Sequence, residues 1–122
     1  FLAMDRQTEE AGCPVFGSGG HDAADSPESR LMGFPIQEHP DRVRAADPAG
    51  YVHADVPPFL VQHGTRDCVV PCAQGQWLAD RIAAVAGPGR VIFETLDGGH
   101  GGRAFDDVAN VDRVLDFLLR HI

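Results

Sequence analysis

The sequence predicts an α/β fold whose core is a parallel β–α–β–α unit in residues 57–122. Three observations predict it. Two short apolar runs, Phe59-Leu60-Val61-Gln62-His63 and Val91-Ile92-Phe93-Glu94-Thr95-Leu96, have strand length, and the second is rich in β-branched residues. Between them, residues 72–86 place Leu78, Ile82 and Val85 at spacings of four and three, the period of a helix. A second helical stretch follows, over about 106–121. Strand, helix, strand, helix is the order of a parallel pair joined by a right-handed crossover.

Residues 1–56 have a different texture, with loops and short helices rich in Gly, Pro, Asp and Ser. Gly17-Ser18-Gly19-Gly20 is loop material. Ser26 is placed to cap a helix that begins at Pro27, where a missing N–H costs nothing, and ends near Met32 before Gly33. A second short helix is expected from Pro40 to Ala46, because Asp47 precedes Pro48 and is pushed out of the α region. From residue 57 the pattern becomes regular. Pro57-Pro58 and Gly64 bound the first strand, Gly87-Pro88-Gly89 stops the first long helix, and Asp97 to Gly102 is a Gly-rich loop. The last helix carries Val108, Val111, Leu115, Leu118 and Ile122 on one stripe. Two strands are too few for a stable parallel sheet, which needs cover on both faces and has two open edges. The expectation is therefore a fragment whose N-terminal strands are missing, with its sheet only partly covered.

Composition narrows the classes. At 122 residues the chain is one domain at most, and 43% apolar content supports a core. Eighteen carboxylates against ten Lys and Arg leave no basic stripe for phosphate, which argues against a nucleic-acid partner. No apolar run is long enough for a membrane span. The chain opens on Phe1 with no legible leader, and cellular location stays open. Cys13, Cys68 and Cys72 leave one cysteine over in any pairing, so they do not describe a disulfide scaffold. Cys68 and Cys72 near His63 lack a second ligand pair, and His21 with Asp22 and Asp25 reads as a solvated, helix-capping stretch. No metal or cofactor is expected. His39, His53 and His121 have no supporting constellation, and Trp77 reads as packing.

Two residues carry chemistry. In open α/β sheets, ligands bind beyond the carboxyl ends of the strands. Asp67 lies four positions past the first strand and His100 four positions past the second, within Gly98-Gly99-His100-Gly101-Gly102. Neighbouring strands run about 4.8 Å apart, so both loops would leave the same sheet edge side by side. Asp67 could then hold His100 in one tautomer and stabilise its imidazolium.

His63-Gly64-Thr65-Arg66-Asp67-Cys68-Val69-Val70-Pro71 resembles the catalytic-acid segment of α/β-hydrolase esterases and of prolyl-oligopeptidase-like enzymes, and Gly98-Gly99-His100-Gly101 resembles their histidine loop. Asp25 to Gly33 with Pro35-Ile36-Gln37-Glu38 is similar to the region between nucleophile and acid in members related to bacterial feruloyl and acetyl-xylan esterases. Phe1-Leu2-Ala3-Met4-Asp5 is similar to what those enzymes carry shortly after their nucleophile strand. Phe34 departs from the pattern, which has a small residue there. The resemblance implies the C-terminal portion of an α/β-hydrolase fold, with Asp67 as triad acid and His100 as base, acting on a small-molecule or carbohydrate-linked ester. It also implies a Ser in a Gly-x-Ser-x-Gly elbow ahead of the acid. No segment here fits that elbow: at Ser18, Phe16 takes the place of the first glycine. The missing N-terminal part of the same protein would supply the serine and the oxyanion hole, and the chain alone is expected to be inactive. Two alternatives stand beside the esterase: a peptidase of the prolyl-oligopeptidase type, and a non-catalytic α/β binding module.

Overall fold

Two parallel strands, β1 (Phe59–Gly64) and β2 (Val91–Leu96), pair in register from Phe59 with Val91 to Gly64 with Leu96 in a computed structural model of the chain. The structure describes residues 1–15, 17 and 19–122. The reading of Ser18 and Phe16 as a failed nucleophile elbow lies outside the described residues. The chain divides into two compact units, one formed by Phe1–Tyr51 with Cys68–Pro71 and the other by Val52–Asp67 with Cys72–Ile122.

The second unit holds the sheet. Helix α4 (Cys72–Ala86) makes the crossover between the strands and buries Ala79 and Ile82, while Leu78 and Val85 are half-buried. It ends at Gly87, whose φ of 97° halts the helical path before a 3-10 turn over Pro88–Arg90. The helix lies on the face of the sheet that carries His63 and Phe93, both close to Gly75. Trp77 is 52% exposed, contrary to its reading as packing: it stands one residue outside the Leu78–Ile82–Val85 stripe that meets the sheet.

The last helical stretch is two elements, α5 (Arg103–Asp106) and α6 (Val108–His121). Asp107 separates them because it is extended, and its side chain caps α6 by accepting from the Ala109 N–H at 3.0 Å. Helix α6 reaches the other face of the sheet through polar side chains, not with its apolar stripe. The Gln62 side-chain amide donates to Asn110 Oδ1 at 2.7 Å and Arg113 Nε donates to Glu94 Oε2 at 2.7 Å, while Val114 and Phe117 are half-buried. Val108, Val111, Leu115, Leu118 and Ile122 are exposed. A sheet two strands wide gives that stripe no surface to bury against, and every strand residue except Gly64 is half-buried or exposed.

The first unit is short helices braced by polar groups. Helix α1 (Met4–Glu10) buries Met4 and Thr8, one turn apart. Helix α2 (Pro27–Met32) forms as its ends dictate: Ser26 Oγ accepts from the Ser29 N–H at 3.1 Å, and Gly33 closes it at φ 76°. Ser29 then joins neighbouring segments, donating from Oγ to the Ala23 carbonyl at 2.8 Å and accepting from the Ile36 N–H at 3.2 Å. Helix α3 (Pro40–Ala45) buries Val43. Phe34 meets His39 edge-on at 5.1 Å and carries the Arg42 guanidinium 3.8 Å above its ring, so the departure at this position fills a local cluster. His21 is not solvated. It is buried with Nδ1 3.0 Å from Glu28 Oε1, and its backbone N–H donates to Asp5 Oδ1. Cys13 and Cys68 form a disulfide across 55 residues of sequence, a pairing the odd cysteine count concealed.

Candidate active site

Asp67 and His100 meet at the carboxyl ends of β1 and β2. Parallel strands with matched ends send both loops off one edge, and hydrogen bonds continue the ladder beyond the last strand pair. The Thr65 N–H donates to the Leu96 carbonyl at 2.9 Å, and the Arg66 N–H donates to the Gly98 carbonyl at 2.9 Å. Arg66 and Asp97 add an ion pair between the loops. The Asp67 N–H donates back to the Gly64 carbonyl at 3.3 Å, which turns the carboxylate inward.

At Gly64, the last residue of β1, the histidine loop passes close against the backbone. A Cβ there would stand 2.1 Å from the Gly99 carbonyl oxygen and 2.6 Å from that of Gly98. Its φ is not left-handed, so glycine is required here for its lack of volume. Gly102, in contrast, has φ 93° and open space around it.

His100 Nδ1–H donates to Asp67 Oδ2 at 2.9 Å. The Asp67 side chain is only 5% exposed and that of His100 is 56% exposed. A buried carboxylate thus holds one ring nitrogen, and Nε2 is the atom left for proton exchange at the surface. Such a pair can orient an imidazole, fix its tautomer and stabilise it when charged.

A third side chain shares the same oxygen. His63, at the end of β1, places Nε2 3.2 Å from Asp67 Oδ2 and is 12% exposed. The sequence reading placed His63 at the head of a motif and weighed it beside Cys68 and Cys72 as a metal ligand, but gave it no role toward Asp67. Its spacing of four from Asp67 across a strand end was the available signal. Of the residues first weighed as metal ligands, Cys68 is in the disulfide and Cys72 is a half-buried free thiol. Burial, and secondarily the Asp67 carboxylate, push the Cys72 thiol above its ordinary pKa.

The BD-FAE family profile matches residues 2–82, two-thirds of the chain, including β1 and Asp67. The chain belongs to the BD-FAE family. With it comes membership of the α/β-hydrolase esterases, in agreement with the resemblance carried by the acid and histidine segments. This BD-FAE chain is 41% identical over 66 residues to esterase LipC of Mycobacterium tuberculosis (strain ATCC 25618 / H37Rv), covering 54% of the chain and 16% of that protein. It is 32% identical over 125 residues to esterase LipQ of the same organism, covering 89% of the chain and 28% of that protein. The BD-FAE chain therefore spans less than a third of the length of these curated relatives. Among its described residues, no helix is long and apolar enough to cross a membrane.

Proposed function

We propose that this chain carries the acid and base of a Ser-His-Asp triad in a carboxylic ester hydrolase that works by acyl transfer. The observation that supports this most directly is the 2.9 Å bond between a buried Asp67 and an exposed His100. Asp67 is the acid, which holds Nδ1–H and compensates the imidazolium. His100 Nε2 takes the proton of the serine as it attacks the ester carbonyl, then delivers it to the departing alkoxide. Water attacks the acyl-enzyme by the same exchange in reverse.

The nucleophile in this reading is a serine outside these 122 residues. Three things support it: the absence of any Gly-x-Ser-x-Gly in the sequence, the under-covered two-stranded sheet, and the small share of its esterase relatives that the chain spans. The N-terminal strands that complete the sheet belong to the same missing part. The substrate is a small-molecule or carbohydrate-linked ester.

The test compares the purified chain with the intact enzyme on a short-chain aryl ester and on a proline-containing peptide. The chain alone should hydrolyse neither above background, and the intact enzyme should prefer the ester. Turnover by the chain alone that disappears in Ser18→Ala would overturn the location of the nucleophile. Preference of the intact enzyme for the peptide would replace the esterase with a peptidase.

A further inference from the structure

We infer that His63 is a positioning residue for this acid–base pair: its Nε2–H donates to Asp67 Oδ2 and aims that oxygen at His100. The inference rests on the triad reading above and adds a member that acts through Asp67 without touching substrate. Oδ2 is 3.2 Å from His63 Nε2 and 2.9 Å from His100 Nδ1, so two imidazoles converge on a single oxygen of one carboxylate. Their exposures separate their tasks. His63 is 12% exposed and His100 is 56% exposed, so one ring is fixed in the protein and the other is open to reactants.

The setting of His63 explains why its ring holds still. It belongs to β1 and pairs with Thr95 on β2, the last rung but one of the ladder, whereas Asp67 stands in the loop beyond. Helix α4 gives way to the ring at Gly75. A Cβ at that position would lie 2.7 Å from His63 Nδ1, 3.4 Å from its Cγ and 3.2 Å from Phe93 Cε2. A glycine inside a helix costs about 1 kcal/mol relative to alanine, and here it makes the space the imidazole occupies. With Nδ1 turned to Gly75, Nε2 is turned to Asp67. A carboxylate that is 5% exposed needs donors to stay ionised, and a donor on a strand fixes its rotamer where a loop would not.

The geometry fixes a tautomer. An ionised carboxylate only accepts, so neutral His63 must carry its proton on Nε2. The substitutions that test this differ by one methylene. In His63→Gln the side-chain amide N–H takes the place of Nε2–H. In His63→Asn the same group falls short of Asp67.

In the intact enzyme, with a short-chain aryl ester, His63→Asn should lower kcat roughly 10–100-fold and leave KM within about twofold, because transition-state alignment is lost and substrate binding is not. His63→Gln should stay within about threefold of wild type in kcat. Nitrogen-15 spectra of the wild-type histidines should show neutral His63 protonated at Nε2, a reading that needs no variant to fold. A folded His63→Asn enzyme with wild-type kcat, a Gln variant as slow as the Asn variant, or a His63 protonated at Nδ1 would each overturn the inference. His100→Ala is run in parallel. If it keeps turnover, the triad reading itself falls; if it abolishes turnover while His63→Asn does not, only the role of His63 falls.

Discussion

Replacing Gly64 with alanine tests how the two loops are held together. The new methyl carbon would lie 2.1 Å from the Gly99 carbonyl oxygen, and moving that oxygen out to an ordinary 3.4 Å contact takes about 1.3 Å of backbone shift. Backbone is what must yield, since no flexible side-chain end is among the atoms met. A shift of that size breaks the Arg66 N–H bond to the Gly98 carbonyl and pulls His100 away from Asp67. Overpacking costs about 1–3 kcal/mol and each lost hydrogen bond about 0.5–1.5 kcal/mol, so Gly64→Ala should destabilise the chain by about 2–4 kcal/mol. Urea unfolding followed by circular dichroism measures this directly. Gly89→Ala serves as control, because Gly89 has open space and no left-handed φ, and it should stay within about 0.5 kcal/mol of wild type. In the intact enzyme the displaced histidine loop should cost about 100-fold in kcat/KM. If Gly64→Ala unfolds at the same midpoint as Gly89→Ala, the loop contact is not what requires a glycine there.

Three further outcomes follow from the same structure. Asp67→Asn in the intact enzyme should reduce kcat by about 10⁴ with a far smaller change in KM, as expected when an acid that sets tautomer and charge is neutralised; steady-state kinetics reading less than about tenfold would remove Asp67 from the triad. The Cys13–Cys68 bond spans 55 residues, and a loop of that length stabilises by about 2–4 kcal/mol, so reductant should lower the urea midpoint of wild type and leave that of Cys13→Ser unchanged. The Cys72 thiol, raised first by burial and then by Asp67, should alkylate slowly near neutral pH, with a rate–pH profile displaced above that of an ordinary thiol. Removing the negative charge in Asp67→Asn should move that profile part of the way down, and no movement would exclude the carboxylate as a cause.

What the sequence disclosed was local or followed from strand direction. Ser26-Pro27 and Gly33 announce both ends of α2 because capping uses only neighbouring atoms. Asp67 and His100 could be brought together from their similar short distances past two parallel strands, since topology alone sends those loops off one edge. What stayed hidden needed contacts that no periodicity encodes. Helix α1 has no side-chain cap and buries only Met4 and Thr8, so nothing local marks it. Asp107 looked like part of one helix, and its cap on Ala109 divides two. The stripe on α6 has a clear period, yet the side chains that face the sheet are Asn110, Arg113 and Phe117, recruited by Gln62, Glu94 and a surface too narrow for more. His63 was concealed because its place in the motif and beside two cysteines says nothing of where its ring points, and only the fold shows it sharing an oxygen with His100.

The bare hydrocarbon of α6 governs how the isolated chain behaves in a tube. Leu115, Leu118 and Ile122 attract one another between molecules only at contact, whereas the net charge of −8 repels at distances set by the ionic atmosphere. At 0.01 M salt that repulsion reaches about 30 Å and keeps copies apart; at 1 M it shrinks to about 3 Å and the greasy helices meet. High-salt buffers, routinely chosen to keep proteins dispersed, are thus the conditions under which this one will clump.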